Sequence, residues 1–254
     1  MMKETLNSAK YAFQDFNHAS YCSLIRLALE KKYRFLSYKE CLHTEGPWVV
    51  WRHDVDFSPE RALELATIEH EMGVKSTYFL LMHSPFYNLF EKQNFEMFCK
   101  IRELGHDLAL HFDFAFYESE DKKYIEECII SEKNFLERTF NQKVDSFSFH
   151  NPNEWALNYG QNNVAGMVNA YSTFFFDNVN YASDSNGVWR NDSIEDRILE
   201  GHEKLQLLTH PVWWTEEITS PQERMWSAVN GRFERDKTDL LEFWKKWGRS
   251  LIDW

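Results

Sequence analysis

Val49-Val50-Trp51-Arg52-His53-Asp54-Val55-Asp56 decides how this chain is built. Three large apolar residues in succession make a buried strand. The run then closes on an arginine, a histidine and two aspartates, groups that a core does not bury without partners. Side chains alternate along a strand, so Asp54 and Asp56 project to one face and His53 to the other. Paired carboxylates are a metal site, an acid/base pair or a repelling pair. The last is costly unless a cation or a shared proton relieves it. Ser58 and Pro59 come next, an N-cap and a first helical residue. The carboxylates thus end a strand just ahead of a helix, where α/β folds build sites.

The same rhythm extends in both directions. Upstream, residues 17–32 pattern as a helix and 34–38 as a short strand. Downstream, the spacing predicts a helix over 59–72 with Leu65, Ile68 and Met72 on one face, ended by Gly73. A strand over 76–81 and a turn at 83–88 lead to a helix over 89–104 presenting Phe90, Met97, Ile101 and Leu104. A strand over 108–111, a helix over 121–139 with Ile125, Cys128, Ile129 and Leu136 inward, and a strand over 144–149 come next. Beyond His150 the pattern weakens. Phe174-Phe175-Phe176 and residues 205–208 read as strands, while 151–172 and 183–203 are polar and irregular. Ser220-Pro221 caps a final helical region to about Trp247, with Gly231 a candidate break. Strands alternating with helices predict an α/β fold on a parallel sheet, open or closed.

With no linker, repeat or low-complexity block, residues 1–254 read as one domain. Residues 1–47 form an N-terminal helical and strand extension to it, and 221–254 a C-terminal helical region. Aromatic residues make up 17%, enough for a large core and for a sugar-stacking pocket. A net charge of −12 with no basic cluster excludes nucleic acid as an expected partner. The start at residues 1–7 lacks the apolar core of a signal peptide, and no apolar run approaches the ~18 residues of a membrane span. Cys22, Cys41, Cys99 and Cys128 show no ligand-pair spacing. The expectation is a soluble, reduced, cytoplasmic protein, in which the sequon-like Asn191-Asp192-Ser193 is without meaning.

The chemistry lies at the strand ends. One strand closes on Asp54 and Asp56, another on His111 with Asp113 two residues on, a third on His150, and the last on His210. All strand C-termini of a parallel sheet share one face, so these groups can converge. Asp and His suit a Zn²⁺-like ion with a position open for water. Such an ion lowers that water's pKa to about 7 and polarises a carbonyl. A spare carboxylate can take a proton from water, and a histidine can give one to a leaving group. The inventory suits metal-assisted hydrolysis of an amide or ester. No phosphate loop, dinucleotide fingerprint, nucleophile elbow or H-E-x-x-H stretch competes.

From about Val49 to Trp214 the chain resembles the polysaccharide deacetylases, the NodB-homology group. The resemblance rests on three stretches: His53-Asp54-Val55-Asp56, Gly105-His106-Asp107-Leu108-Ala109-Leu110-His111, and Leu207-Leu208-Thr209-His210. It implies a distorted, incomplete (β/α) barrel and metal-dependent removal of an N-acetyl group from an amino sugar, with a divalent ion, Zn²⁺ first, as cofactor. By that resemblance Asp54 is the general base, Asp56 and His111 hold the metal, and His210 is the general acid. The family's aspartate-before-tryptophan motif corresponds to Tyr181-Ala182-Ser183-Asp184, with Trp189 beyond.

The departures fall on the metal. Ala115 stands where the family's second histidine is expected, Val55 splits the acidic pair, and Phe149-His150-Asn151-Pro152 replaces the third motif. The third ligand is therefore His150 or Asp113, with His150 favoured because it comes from a separate strand end. His106, in a turn, reads as structural. His53 orients rather than ligates, and His83 is a candidate for substrate contact. Trp213 and Trp214 either stack on a sugar ring or belong to the core. Expected substrates are a free sugar or one linked to lipid or nucleotide, in glycan or polysaccharide biosynthesis. The alternatives are hydrolysis of a non-sugar C–N bond and a degenerate barrel that binds glycan without turnover.

Overall fold

The computed structural model describes residues 15–189 and 192–247; the start at residues 1–7 and Asn191 of the sequon lie outside them. Helix α1 (His18–Glu30) begins at Asn17, whose side chain accepts the Ser20 amide. Strand β1 (Arg34–Phe35) is followed at once by α2 (Tyr38–Cys41), because Ser37 and Glu40 close a capping box there. The strand expected over 34–38 is shortened for that reason. Strand β2 (Trp48–Val55) is buried at every position, and α3 (Pro59–Glu71) starts behind the Ser58 cap. Strand β3 (Thr77–Leu81), helix α4 (Lys92–Glu103), strand β4 (Asp107–Phe112), helix α5 (Lys122–Phe140) and strand β5 (Ser146–Phe149) continue the alternation. The inward face of α4 is Asn94, Phe98 and Ile101; Phe90 precedes the helix and is exposed. Ile125, Cys128, Ile129 and Leu136 of α5 are buried as expected.

The polar stretches that read as irregular hold α6 (Glu154–Asn158), β6 (Asn163–Val164), β7 (Met167–Asn169) and, further on, α8 (Ile194–Glu200). These elements are two to seven residues long, too short for a periodic signal. Phe174-Phe175-Phe176 is not a strand: it lies in α7 (Thr173–Asn178), which buries Phe175 and exposes Phe176. Three consecutive aromatics fit either period, and the strand comes next as β8 (Asn180–Ser183). After β9 (Lys204–Thr209), helix α9 (Pro221–Lys246) runs unbroken through Gly231. Gly231 is exposed, and a helical glycine costs only about 1 kcal/mol relative to alanine.

The strands order as β6-β7-β5-β4-β3-β2-β9-β8, with β1 beside β2. All pairs are parallel except β6 with β7. From β2 through β3, β4, β5 and β7, and back through β8 and β9, this is the sequence-ordered circuit of a (β/α) barrel. Among the described residues β7 and β8 do not pair, so the barrel is incomplete. Trp48, Val50, Phe79, Ala109 and Val168 fill its interior, and Tyr38 of α2 and Phe175 of α7 pack against them. Two larger apolar clusters lie outside the sheet, beneath the helices. No described helix is long and apolar enough to cross a membrane.

Candidate metal centre

The even-numbered residues of β2 climb the barrel interior. Trp48 and Val50 belong to the apolar floor, and Arg52 lies above them, fully buried between the rings of Phe79 and Tyr171 at 5.2 and 5.3 Å. Its guanidinium donates to Asp54 Oδ2 at 2.7 Å. Burial pushes the Asp54 carboxyl up, but Arg52, with His111 and His210 beyond, holds it below its ordinary value. A carboxylate is thereby kept ionised at the wall of the site.

Asp56, His111 and His150 meet at the strand C-termini. His111 Nε2 is 3.2 Å from Asp56 Oδ1, His150 Nδ1 is 3.4 Å from the same oxygen, and the two nitrogens are 3.3 Å apart. Ligands bound at about 2.0–2.1 Å around a tetrahedral Zn²⁺ stand about 3.3–3.4 Å from one another. The three donor atoms are therefore at ligand spacing. Burial raises Asp56, yet the facing imidazoles of His111 and His150 hold it well below the usual carboxylate range. Asp54 Oδ1 and Asp56 Oδ1 are buried without a hydrogen-bond donor, a state that a cation relieves.

The surrounding groups fix the ring orientations. The register pairs His111 with Ser148, and His111 Nδ1 lies 2.7 Å from Ser148 Oγ; in the tautomer that donates there, the Nε2 lone pair is free for a metal. The Asn151 amide lies 2.9 Å from His150 Nε2. Turned with its oxygen inward, it accepts the Nε2–H that a ligating Nδ1 requires. The donor set of one carboxylate and two imidazoles from separate strands fits a borderline divalent ion such as Zn²⁺.

His210 closes the opposite side. Its Nε2 is 3.9 Å from Asp56 Oδ2, and its Nδ1–H donates to Asp184 Oδ1 at 2.6 Å. The buried Asp184 also accepts from the His210 backbone N–H at 2.9 Å and from Trp214 Nε1 at 2.8 Å. Burial lowers the affinity of His210 for a proton, but Asp184 outweighs it and raises the pKa to about 9. His210 is thus a protonated group beside the triad.

Of the two candidates for third ligand, His150 joins Asp56 and His111, and Asp113 lies outside the triad. Ala115 is exposed on the one-turn helix Phe114–Tyr117 after β4, so it faces no ligand position. His83 is drawn to Glu132 at 3.0 Å and stacks on Phe116 at 3.6 Å between centroids, a rim cluster of its own. Trp214 is fully buried against Phe16 and Tyr21, and Trp213 packs on Gly187, so both serve the core. Their burial favours the core reading of this pair, and Trp214 in addition holds Asp184 through its indole N–H. His106 is buried between the Ser76 amide and the Ala66 carbonyl, a structural histidine. Arg52, Ser148 and Asn151 are the residues that sequence reasoning did not assign. Arg52 shares the parity of Asp54, and Ser148 that of His150, so alternation could have found both.

His53 points outward, away from the site, where Glu69 of α3 gathers a buried cluster. Glu69 lies 2.8 Å from His53 Nε2 and accepts from Tyr21 at 2.6 Å, Ser76 at 2.7 Å and Tyr78 at 2.7 Å. Burial raises Glu69, but His53, His106 and the Tyr21 hydroxyl pull it down to about 2. A depressed carboxylate stabilises the fold above its unfolded pKa, and the contribution fades as pH falls toward the folded value. From its ordinary 4.5 to about 2, Glu69 contributes on the order of 3 kcal/mol at neutral pH. Thermal unfolding of the native chain beside Glu69→Gln should show a gap in midpoint at pH 6 that closes progressively between pH 4.5 and 2. A pH-independent gap would refute this assignment.

No family model and no curated protein matches the chain. Solved structures similar to it include a Streptococcus mutans CE4 esterase, at 14% identity over 87% of this chain and 91% of that one, with a TM-score of 0.45. Another is the Streptococcus pyogenes deacetylase PplD in complex with acetate, at 16% identity over 75% and 87%, TM-score 0.45. A CE4 family pseudoenzyme from Bacillus anthracis is similar at 17% identity over 76% of this chain, TM-score 0.40; the match spans 63% of that protein's length. Deacetylases of the CE4 group, the family whose motifs the sequence resembles, are thus among the structures similar to this chain.

Proposed function

We propose that this chain is a metal-dependent hydrolase that removes the acetyl group from an N-acetylated amino sugar. The observation that carries the proposal is the mutual spacing of the Asp56, His111 and His150 donor atoms, flanked by an ionised Asp54 and a protonated His210. When bound, a Zn²⁺ held by the three would supply Lewis-acid polarisation and an acidified water. Asp54, kept charged by Arg52, takes the proton of the water whose oxygen joins the amide carbon. His210 gives its proton to the departing nitrogen as the C–N bond breaks, and Asp184 stabilises the proton on the ring until then. The products are acetate and a free amine. His150, which completes a three-donor set from a separate strand end, supports turnover over the binding-only alternative.

The test is metal content by elemental analysis, paired with acetate release from acetylated amino sugars. The native chain and Asp113→Ala should carry about one equivalent of divalent metal, and His150→Ala less than about one tenth, since a tetrahedral site that loses one of three protein ligands loses its hold. Acetate release should follow the metal. Ring opening of cyclic amides, with no acetate released from amino sugars, would move the substrate to a non-sugar C–N bond. No metal in the native chain after incubation with zinc would overturn the proposal.

A further inference from the structure

The sheet does not hold the donors Asp56, His111 and His150 equally. His111 lies inside β4 and is paired on both sides, with Leu81 of β3 and with Ser148 of β5. His150 is one residue past β5, and its backbone N–H donates to Phe112 O of β4 at 2.8 Å. Asp56 is past the last register pair on both of its sides, since β2 leaves β9 at His53 and Thr209 and leaves β3 at Val55 and Leu80. A chain beyond its ladder can pivot about its last bond, whereas a metal ligand has to stay within about 0.5 Å of its productive place.

The turn after β3 supplies what the ladder lacks. Tyr87 is buried; its phenol oxygen accepts the Leu81 N–H at 2.9 Å and donates to Val55 O at 2.7 Å. The hydroxyl thereby spans β3 and β2 where their pairing ends. Ser84 Oγ donates to Asp56 O at 2.8 Å and accepts the Phe86 N–H at 3.1 Å. Two O–H groups of one turn thus grip consecutive carbonyls, that of Asp56 and that of the residue before it. The turn itself is closed by backbone, with Ser84 N–H donating to Leu81 O at 3.3 Å, so both O–H groups are directed to β2.

We propose, on the reading of Asp56, His111 and His150 as metal ligands, that Ser84 and Tyr87 are positioning residues that hold Asp56 at ligand distance from the two imidazoles. They act through the backbone of β2. Losing the Tyr87 hydroxyl frees the end of the strand, and losing the Ser84 hydroxyl frees Asp56 alone. Partners of this kind, one shell out from the ion, typically contribute about 10–100-fold to metal affinity.

The test is zinc affinity by competition with a chromophoric chelator, on the full chain, beside urea unfolding of the metal-free protein. Tyr87→Phe keeps the buried ring, and Ser84→Ala removes only a hydroxyl. Each should weaken zinc binding by about 10–100-fold, and Ser84→Thr, which keeps a hydroxyl, should bind nearly as the native chain does. The control is Tyr33→Phe. It removes a phenol that is equally buried and donates to His202 O at 2.5 Å, but at the opposite end of the sheet. It should lower stability as Tyr87→Phe does and leave zinc affinity unchanged. If Tyr87→Phe does not fold, Ser84→Ala decides, because Ser84 is only half-buried. Native zinc affinity in Ser84→Ala and in folded Tyr87→Phe would overturn the proposal. So would an equal loss in Tyr33→Phe, which would tie affinity to stability alone. A native chain that takes up no zinc would overturn the metal reading itself, and this role with it.

Discussion

Asp54→Asn is expected to lower kcat for acetate release by about two to four orders of magnitude, the usual contribution of a positioned general base. Metal content should stay near one equivalent, because Asp54 is outside the Asp56, His111 and His150 triad. Asparagine keeps the shape and can still meet Arg52, so the fold should survive. What it loses is the negative charge that makes the group basic enough to receive a proton. The measurement is kcat and KM for the variant alongside elemental analysis of the same preparation. A fall in kcat with metal lost in parallel would instead make Asp54 a ligand, and unchanged kcat would remove it from the mechanism.

The second large effect is on stability. Arg52→Met should destabilise the fold by about 3–5 kcal/mol, the typical consequence of leaving one member of a buried ion pair alone. Arg52 is fully buried, Asp54 nearly so, and the guanidinium–carboxylate distance is 2.7 Å. Methionine keeps an apolar side chain between the Phe79 and Tyr171 rings, so the loss is mainly electrostatic. Arg52→Met combined with Asp54→Asn should recover a substantial part, giving a coupling of more than about 1 kcal/mol in a double-mutant cycle of urea unfolding. Additive effects would mean that Arg52 acts through packing alone.

Most of the site could be read from the chain because its elements obey one grammar: an apolar run, then a polar residue, then a helix cap. β2 and β5 obey it in full, β3, β4 and β9 in its first two parts, and Asp54, Asp56, His111, His150 and His210 stand where it places them. The choice between His150 and Asp113 needed three-dimensional placement, since both come after strands at similar distance. Trp213 and Trp214 were unreadable for a different reason: a buried tryptophan and a stacking one are the same residue in sequence, and only solvent contact separates them. β8 escaped notice because Asn180, Tyr181, Ala182 and Ser183 carry little apolar signal beside the louder aromatics before them. Glu69 looked like any acidic residue on a helix until Tyr21, His53, Ser76 and Tyr78 were found closing round it.

One property of β2 bears on how this chain can diverge. Its even positions supply the interior with Arg52 and Asp54, while its odd positions supply the outer side with Trp51 and with His53 on Glu69. A single inserted or deleted residue upstream in this strand would exchange the two sets, sending the charges beneath the helices and the indole into the barrel. Substitutions can accumulate one at a time along the strand, but its length can change only in steps of two. Relatives of this protein should therefore vary in the loops on either side of β2 and hold the count of residues within it.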